Sequence, residues 1–296
     1  MTAIRPVRKA VFPVAGLGTR LLPATKTMPK EMLTVVDRPL IQYAVDEARE
    51  AGIEQLIFVT GRGKSSLVDY FDLGFELEVT MEKAGKSIAA LDGSRTIPGE
   101  LISVRQQQPL GLGHAVWCAR HIVGDEPFAV ILPDDLMVGG LGVGGALRQM
   151  VEAYNQVGGN IVCAEEVAAD KTASYGIVTP GETRGNLTEV LGLVEKPKPE
   201  VAPSRLGIIG RYILQPEVMA ILDARETGAG GEIQLTDAMA KLIGRQPFHA
   251  VKVNAVRHDC GDKAGFVLAN LALALDRDDL RPRVEEFLAS RQSLIV

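Results

Sequence analysis

The stretch Arg8-Lys9-Ala10-Val11-Phe12-Pro13-Val14, followed at once by Ala15-Gly16-Leu17-Gly18-Thr19-Arg20, decides how the rest of the chain is read. The first seven residues form an apolar run behind two cations, as a strand buried on both faces does. The next six are a glycine turn. Glycine lets backbone N–H groups come close to a ligand. Successive N–H groups with Thr19 and Arg20 behind them would make an anion-binding concavity. Taken alone, the same pattern equally describes a tight turn with no ligand.

The alternation continues downstream. Residues 39–51 carry Leu40, Ile41, Ala44, Val45 and Ala48 at helical spacing, and Gly52 would end that helix. Residues 55–60 predict a strand, with helical patterns through Lys86. Residues 101–105 predict a strand, 112–123 a helix, and 128–132 a short, wholly apolar strand. Apolar runs alternating with helices point to βαβ units and a parallel sheet covered on both faces. A glycine-rich loop at 139–145 precedes a helix near 146–156, and 161–165 reads as another strand. From Tyr175 to Leu214 the texture changes to several shorter strands with polar turns. Helices are expected at 216–224 and 232–243, a strand at 247–253, and a charged helical tail at 263–290. No internal repeat or low-complexity linker appears. The expectation is one domain over 1–296, with a nucleotide-sized half (8–135), a second half (136–262) and a helical tail (263–296).

Composition narrows the function classes. With 296 residues, 46% hydrophobic and 23% charged, the chain is an ordinary globular one and long enough to bury a core without staples. Lys and Arg number 32 against 37 Asp and Glu, so 32 − 37 gives −5. A dedicated nucleic-acid binder would show a basic footprint, so none is expected. No run of about 18 apolar residues occurs, so no membrane span is expected. The basic stretch 1–9 is followed by Pro13, Gly16, Gly18 and Arg20, which does not read as a leader. The three cysteines, Cys118, Cys163 and Cys260, lie far apart, an odd count that fits reduced thiols and a cytoplasmic setting.

What strengthens the glycine turn is its continuation, Pro23-Ala24-Thr25-Lys26-Thr27-Met28-Pro29-Lys30-Glu31-Met32-Leu33. Arg20, Lys26 and Lys30 put three cations within eleven residues, a plausible polyphosphate clamp. The standard nucleotide motifs are missing. Gly63-Lys64-Ser65 has Phe58 where a Walker A glycine belongs, so it reads as a helix start. Gly140, Gly142 and Gly145 spell GxGxxG without the strand–turn–helix context it needs. Asp134 and Asp135 close a buried strand, where ligands collect in open α/β sheets. A carboxylate there suits Mg²⁺ beside a phosphate, or a plain turn. Arg257-His258-Asp259-Cys260-Gly261-Asp262 reads as a second acidic turn after a strand, and the two carboxylates could share one metal if they meet. Glu195-Lys196 before Pro197 could hold a sugar hydroxyl and a phosphate, or be a solvated ion pair. The four histidines have no metal-ligand spacing.

Together these fragments resemble the sugar-nucleotide pyrophosphorylases over nearly the whole chain, Lys9 to about Gly261. AGLGTR with PKEML resembles the family's triphosphate signature, and RQQQPLGLGHA (105–115) its base-recognition segment. LPDD (132–135), Tyr175-Gly176, VEKP (194–197) and GEIQLTDA (231–238) follow in the family's order. The wording PATKTMPKEML and PLIQYAVDEAREAGI is most similar to bacterial members that join UTP to glucose 1-phosphate. Thr34, where the usual pattern has proline, is one departure. The resemblance implies a Rossmann-like α/β nucleotidyltransferase. Its central mixed, mostly parallel sheet would be flanked by helices, with a small additional sheet and C-terminal helices. It implies that Ala15, Gly16, Glu31, Gln106 and Gly111 hold uracil and ribose. Gly18, Thr19, Arg20 and Lys30 would hold the triphosphate. Asp134 and Asp259 would hold Mg²⁺. Gly176, Glu195, Lys196 and Gly207 would surround glucose 1-phosphate. Arg20, Lys30 and Lys196 would carry catalysis through charge neutralisation. UDP-glucose and pyrophosphate would be the products, and a homodimer or homotetramer the assembly. The rival readings are a dTTP- or ATP-using enzyme of the same kind and, in another class, a non-catalytic regulator that binds sugar nucleotides.

Overall fold

The computed structural model describes residues 4–139 and 144–292. Strand β1 (Lys9–Pro13) runs into three short 3-10 turns and a two-residue hairpin, β2 (Thr34–Val35) with β3 (Arg38–Pro39). Helix α1 (Leu40–Glu50), β4 (Gln55–Thr60), α2 (Ser66–Asp69), α3 (Phe75–Lys83) and β5 (Leu101–Arg105) follow. Then come α4 (Leu112–Cys118), α5 (Arg120–Val123), β6 (Phe128–Ile131), β7 (Asp135–Gly139), α6 (Ala146–Val157) and β8 (Asn160–Glu166). The second half continues with β9 (Gly176–Arg184), β10 (Leu187–Glu195), β11 (Leu206–Leu214), α7 (Glu217–Asp223) and α8 (Leu235–Ala240). Strands β12 (Phe248–Val251) and β13 (Ala255–Asp259) precede α9 (Lys263–Leu275) and α10 (Arg281–Gln292).

Nine strands form one sheet, ordered β5-β4-β1-β6-β11-β8-β12-β10-β9. The opening run of sequence lies well inside it. Val11 faces one core with Ile57 and Val130, while Ala10 and Phe12 face the other with Ile41, Val45 and Phe58. Alternate residues of a strand point to opposite faces. Both faces are covered here, so the run is continuously apolar. The sheet is mixed, and less parallel than expected. Strands β5, β4, β1 and β6 pair parallel, as do β12 and β8, but every pairing of β11 and β10 with β6, β8, β9 or β12 is antiparallel.

Several expectations need correction. The strands expected to be short between Tyr175 and Leu214 are instead nine residues each, the longest among those described. Pro180, Gly192 and Gly210 lie at or beside irregular register inside the strands rather than at their ends; the β9–β10 register slips twice near Val190, and the β11–β8 register between Ile208 and Tyr212. The helix expected over 112–123 breaks at Ala119, and the tail helix breaks after Leu275. The 232–243 helix shrinks to α8, leaving Glu232–Gln234 extended or irregular. The acidic turn read at 257–262 is in fact the end of a strand through Asp259. β13 pairs antiparallel with β7 and sets Asp259 opposite Asp135. Of the GxGxxG glycines, Gly140 and Gly142 lie outside the described residues. Among the described residues no helix is long and apolar enough to cross a membrane.

Candidate functional site

The carboxyl ends of β6 and β10, the start of β9, the first part of β11, the loop after β1 and the β7–β13 pair enclose a cleft of about 280 Å³. Its walls bring together six of the expected residues, Arg20, Asp134, Gly176, Glu195, Lys196 and Asp259, from segments up to 239 positions apart. A larger cavity of about 510 Å³ between α1, β7 and α9 contains none of them. Chemistry rather than size therefore locates the site.

Asp134 and Asp259 come together. A Cβ placed on Gly261 would lie 3.0 Å from Asp259 Oδ1 and 3.2 Å from Asp134 Oδ2, so the two oxygens flank one point, Asp259 Oδ1 also accepting from the Gly261 N–H at 2.9 Å. The Cys260 N–H donates to the Asp134 carbonyl at 2.7 Å and closes the loop. Among the described residues no group of three or more His, Cys, Asp or Glu could hold a metal by itself. Two carboxylates fit a hard divalent ion that takes its remaining ligands from phosphate and water. Lys30 Nζ now donates to Asp134 Oδ2 at 2.6 Å. Burial alone would push the Asp134 carboxyl up, but Lys30 outweighs it and the net shift is down; burial would lower Lys30, and Asp134 and Glu31 together raise it.

The glycine-turn residues stand beside the cleft. Gly18 adopts φ +66, and a Cβ there would sit 3.3 Å from Lys30 Cβ, so glycine allows the loop to fold onto Lys30. Thr25 Oγ1 donates to the Gly18 carbonyl at 2.7 Å. Gly16, Thr19 and Arg20 are exposed and Ala15 half-buried. Glu31 points away from the surface. It is fully buried, its Oε2 accepts from Lys64 Nζ at 2.9 Å, and its Oε1 has no partner. Burial raises its pKa and lowers that of Lys64.

Gln106 follows β5 and is the buried member of its glutamine run. Its N–H donates to the Thr60 carbonyl at the end of β4. Gly111 has φ +109, and a Cβ there would lie 2.7 Å from the Ile233 carbonyl oxygen. Two backbone bonds, Gly113 N–H to Ile233 O and Ile233 N–H to Leu110 O, both 2.8 Å, strap this segment to the second half.

At the other end Lys196 sits at φ +47 with its N–H on the Tyr175 carbonyl. Its Nζ reaches Glu195 Oε1 at 3.2 Å and remains largely in solvent. A Cβ on Gly176 would press on Thr236 at 2.9 Å. Gly207 lies behind the wall, where a Cβ would meet Val167 at 2.9 Å and Tyr175 at 3.4 Å.

Arg257, part of the stretch read as an acidic turn, organises the wall of the cleft. Its guanidinium contacts Asp135 Oδ1 at 2.5 Å, Glu165 Oε1 at 2.7 Å and Tyr175 Oη at 3.2 Å. Burial pushes the Asp135 carboxyl up to about 6, against the pull of Arg257. Behind it, Arg211 makes a fully buried fork with Glu47 at 2.6 Å and donates to the Leu132 and Gly210 carbonyls at 2.9 and 3.0 Å. The signal was present in LGIIGRYIL: an arginine inside an apolar strand must find a buried partner.

The nucleotidyl transferase family model matches residues 9–274. UTP–glucose-1-phosphate uridylyltransferase of Komagataeibacter xylinus is 55% identical over 262 residues, 88% of this chain and 91% of that one. The protein of that name from Bacillus subtilis (strain 168) is 44% identical over 287 residues, 96% of this chain and 97% of that one. A UDP-glucose pyrophosphorylase solved with UDP-glucose superposes with a TM-score of 0.82 at 42% identity, covering 92% of this chain and all of that one. A UTP-bound enzyme of the same kind from Acinetobacter baumannii gives 0.86 at 42%, covering 96% and 99%.

Proposed function

The chain belongs to the nucleotidyl transferase family, and from that membership we infer that it transfers the uridylyl group of UTP to glucose 1-phosphate, releasing pyrophosphate and leaving UDP-glucose. The observation that carries the reading is the meeting of Asp134 and Asp259 in one cleft with Glu195 and Lys196. A phosphate oxygen of glucose 1-phosphate attacks the α-phosphorus of UTP. The bond from that phosphorus to the bridging oxygen breaks, and pyrophosphate leaves with the electron pair. The nucleophile is already an anion, so no general base is required, and catalysis is positioning with charge neutralisation.

In this reading Gly18, Thr19, Arg20 and Lys30 hold the triphosphate, with Lys30 exchanging Asp134 for phosphate oxygen. Ala15, Gly16, Glu31, Gln106 and Gly111 form the uracil and ribose end. Glu31 acts there through Lys64 and Lys30, because its own carboxylate is sealed. Gly176, Glu195, Lys196 and Gly207 shape the sugar end, with Lys196 drawing the attacking phosphate toward the α-phosphorus. Nucleotidyltransferases generally use a divalent metal. Asp134 and Asp259 would hold Mg²⁺, which when bound offsets repulsion between phosphate groups.

A second copy of the chain completes the reading as a homodimer or homotetramer. α9 is apolar along its length, yet only Ala269 is fully buried, and Val267 and Leu268 are exposed. The double substitution Val267→Glu with Leu268→Glu should shift the sedimentation coefficient to that of the monomer. An unchanged value would move the contact elsewhere. Three unpaired thiols fit a cytoplasmic setting.

The test is pyrophosphate release with Mg²⁺ and glucose 1-phosphate, comparing UTP, dTTP and ATP. Release should be fast with UTP and slight with ATP. One methyl separates thymine from uracil and is worth about 1–3 kcal/mol in a pocket, so some dTTP use is expected. Release only with dTTP or ATP would overturn the substrate. Binding of UDP-glucose with no release from any triphosphate would favour a regulator.

A further inference from the structure

His114 belongs to the 105–115 segment. It lies in the first turns of α4, buried, three residues past the Gly111 strap, stacked on Trp117 with ring centroids 5.6 Å apart. Its Nδ1 is 3.0 Å from Gln106 Nε2, and the same Nε2 donates to the Gly111 carbonyl at 3.1 Å. A carbonyl oxygen can only accept, so the Gln106 group facing Gly111 must be the NH₂ end. That nitrogen has two hydrogens. One goes to Gly111, and the other meets His114 Nδ1, which must then be the unprotonated, accepting nitrogen. Burial, then the charge of Arg225, outweighs a hydrogen bond to the Gln108 backbone, with Arg120 adding to the same side, and holds the His114 pKa below its ordinary value, which favours the neutral ring this requires. Both amide hydrogens are thus committed inside the protein. The other end of the group, Oε1, accepts from no described residue and is not among the sealed orphan atoms.

Gln106 stands where a base would be read. It follows β5 at the end of the parallel half of the sheet, bonded to the end of β4. Gly61, just past β4, packs 3.1 Å from the Ala15 carbonyl beyond β1, measured from the Cβ it lacks. The tips of β5, β4 and β1 therefore form one continuous floor.

We infer that His114 is a positioning residue that locks the Gln106 amide with only its oxygen toward the nucleotide, so that the site selects a pyrimidine that carries an N3–H. Uracil presents that hydrogen. Cytosine presents a lone pair at the same position, which an oxygen repels. The inference rests on the proposed uridylyl transfer and deepens it by naming what rejects CTP. Without the His114 nitrogen only the Gly111 carbonyl still opposes the second orientation, NH₂ outward, that suits cytosine, so the lock is weaker.

The experiment compares UTP and CTP by kcat/KM in the full chain. His114→Phe keeps an aromatic ring on Trp117 but removes the acceptor; the UTP preference should fall by at least about tenfold, a difference hydrogen-bond readout readily supplies. The KM for glucose 1-phosphate should stay within about twofold, since His114 is remote from the sugar end. His114→Asn can return an acceptor near the Nδ1 position and should restore most of the preference. A preference unchanged in His114→Phe overturns the inference. Equal loss in both variants also overturns it, because that is a packing effect. If His114→Phe does not fold, ¹⁵N NMR of the wild-type ring decides. Nδ1 should be unprotonated, and a proton on Nδ1 would refute the assignment. Wild-type inactivity with UTP and glucose 1-phosphate would instead overturn the proposed function, leaving the tautomer measurement to judge His114 on its own.

Discussion

The two ends of the cleft are held by different means. At the proposed nucleotide end, backbone does most of the positioning, with one sealed ion pair, Lys64 to Glu31, behind it. Gly18 folds onto Lys30, Gly111 is jammed against Ile233, and Thr19 and Arg20 stand in water. At the proposed sugar-phosphate end, buried charge does most of it. Arg257 binds Asp135, Glu165 and Tyr175, and Arg211 binds Glu47 behind them. A triphosphate brings its own charge and needs donors that can close around it, which glycine turns provide. The hydroxyls of a sugar are neutral and need walls already in place, which a desolvated ion-pair network provides. One end is therefore completed on binding, while the other is set on folding.

Breaking the preset end should have the largest effect. Arg257→Ala leaves Asp135 buried with a neighbouring carboxylate at Glu165 and no cation in contact, Arg211 lying beyond hydrogen-bond reach, and removing one partner of such a pair typically destabilises by about 3–5 kcal/mol. Urea denaturation reads this directly; a loss below about 1 kcal/mol would mean that Asp135 relaxes by taking up a proton. Next come the groups at the junction. Asp134→Ala and Lys196→Ala should each reduce turnover by about 10²–10³, the usual effect of losing one preorganised charge contact, with the thermal midpoint little changed in Lys196→Ala and lowered in Asp134→Ala, which strips Lys30 of its partner. Near-normal turnover in a folded variant would remove that residue from its assigned role.

Gly111→Ala sharpens the contrast from the backbone side. The left-handed conformation and the clash with Ile233 should destabilise by about 1–3 kcal/mol. KM for UTP should rise more than KM for glucose 1-phosphate; equal rises would mean that the strap serves both ends alike. The smallest effect is expected away from either end. Glu100 accepts from Arg49 Nε at 2.7 Å and from the Ile97 N–H at 3.0 Å. Burial pushes its pKa up, but these bonds outweigh it and hold it below 4.5. A depressed carboxylate contributes stability that is fully present above the unfolded value and is lost as pH falls through the folded one. Glu100→Gln should therefore lose about 1 kcal/mol near pH 7 and converge with the wild type in acid, with turnover unchanged. A stability gap that persists in acid would contradict this.

The sequence made the nucleotide end more legible than the sugar end, for a physical reason. Backbone devices are written locally, so AGLGTR and the glycines before α4 announce themselves within a few residues. The strands β1, β4 and β5 were readable because burial on both faces leaves an uninterrupted apolar run. Ion-pair networks are written non-locally: Arg257 and Asp135 lie 122 positions apart and Arg211 and Glu47 lie 164 apart, and no spacing links them. The β7–β13 ladder was missed because Asp135 and Asp259 look like turn residues until they are seen opposite each other. The nine-residue strands were under-read because Gly181, Gly192 and Pro180 resemble punctuation but lie within β9 and β10. The seclusion of Glu31 could not be foreseen from PKEML, since it depends on Lys64 arriving from another loop.

The strap between residues 110–113 and Ile233 has a consequence for anyone who recombines such enzymes. A graft that takes its sugar end from a relative by cutting after Asp135 would split the strap's halves between two parents. Gly111 and Gly113 each lack room for even a methyl group against Ile233 or its neighbours, so the two parents' backbones would have to agree there to a few tenths of an ångström. The practical unit of exchange is therefore not a contiguous block. It is a pair of short segments, 110–113 and 232–234, that should be inherited together whichever half surrounds them.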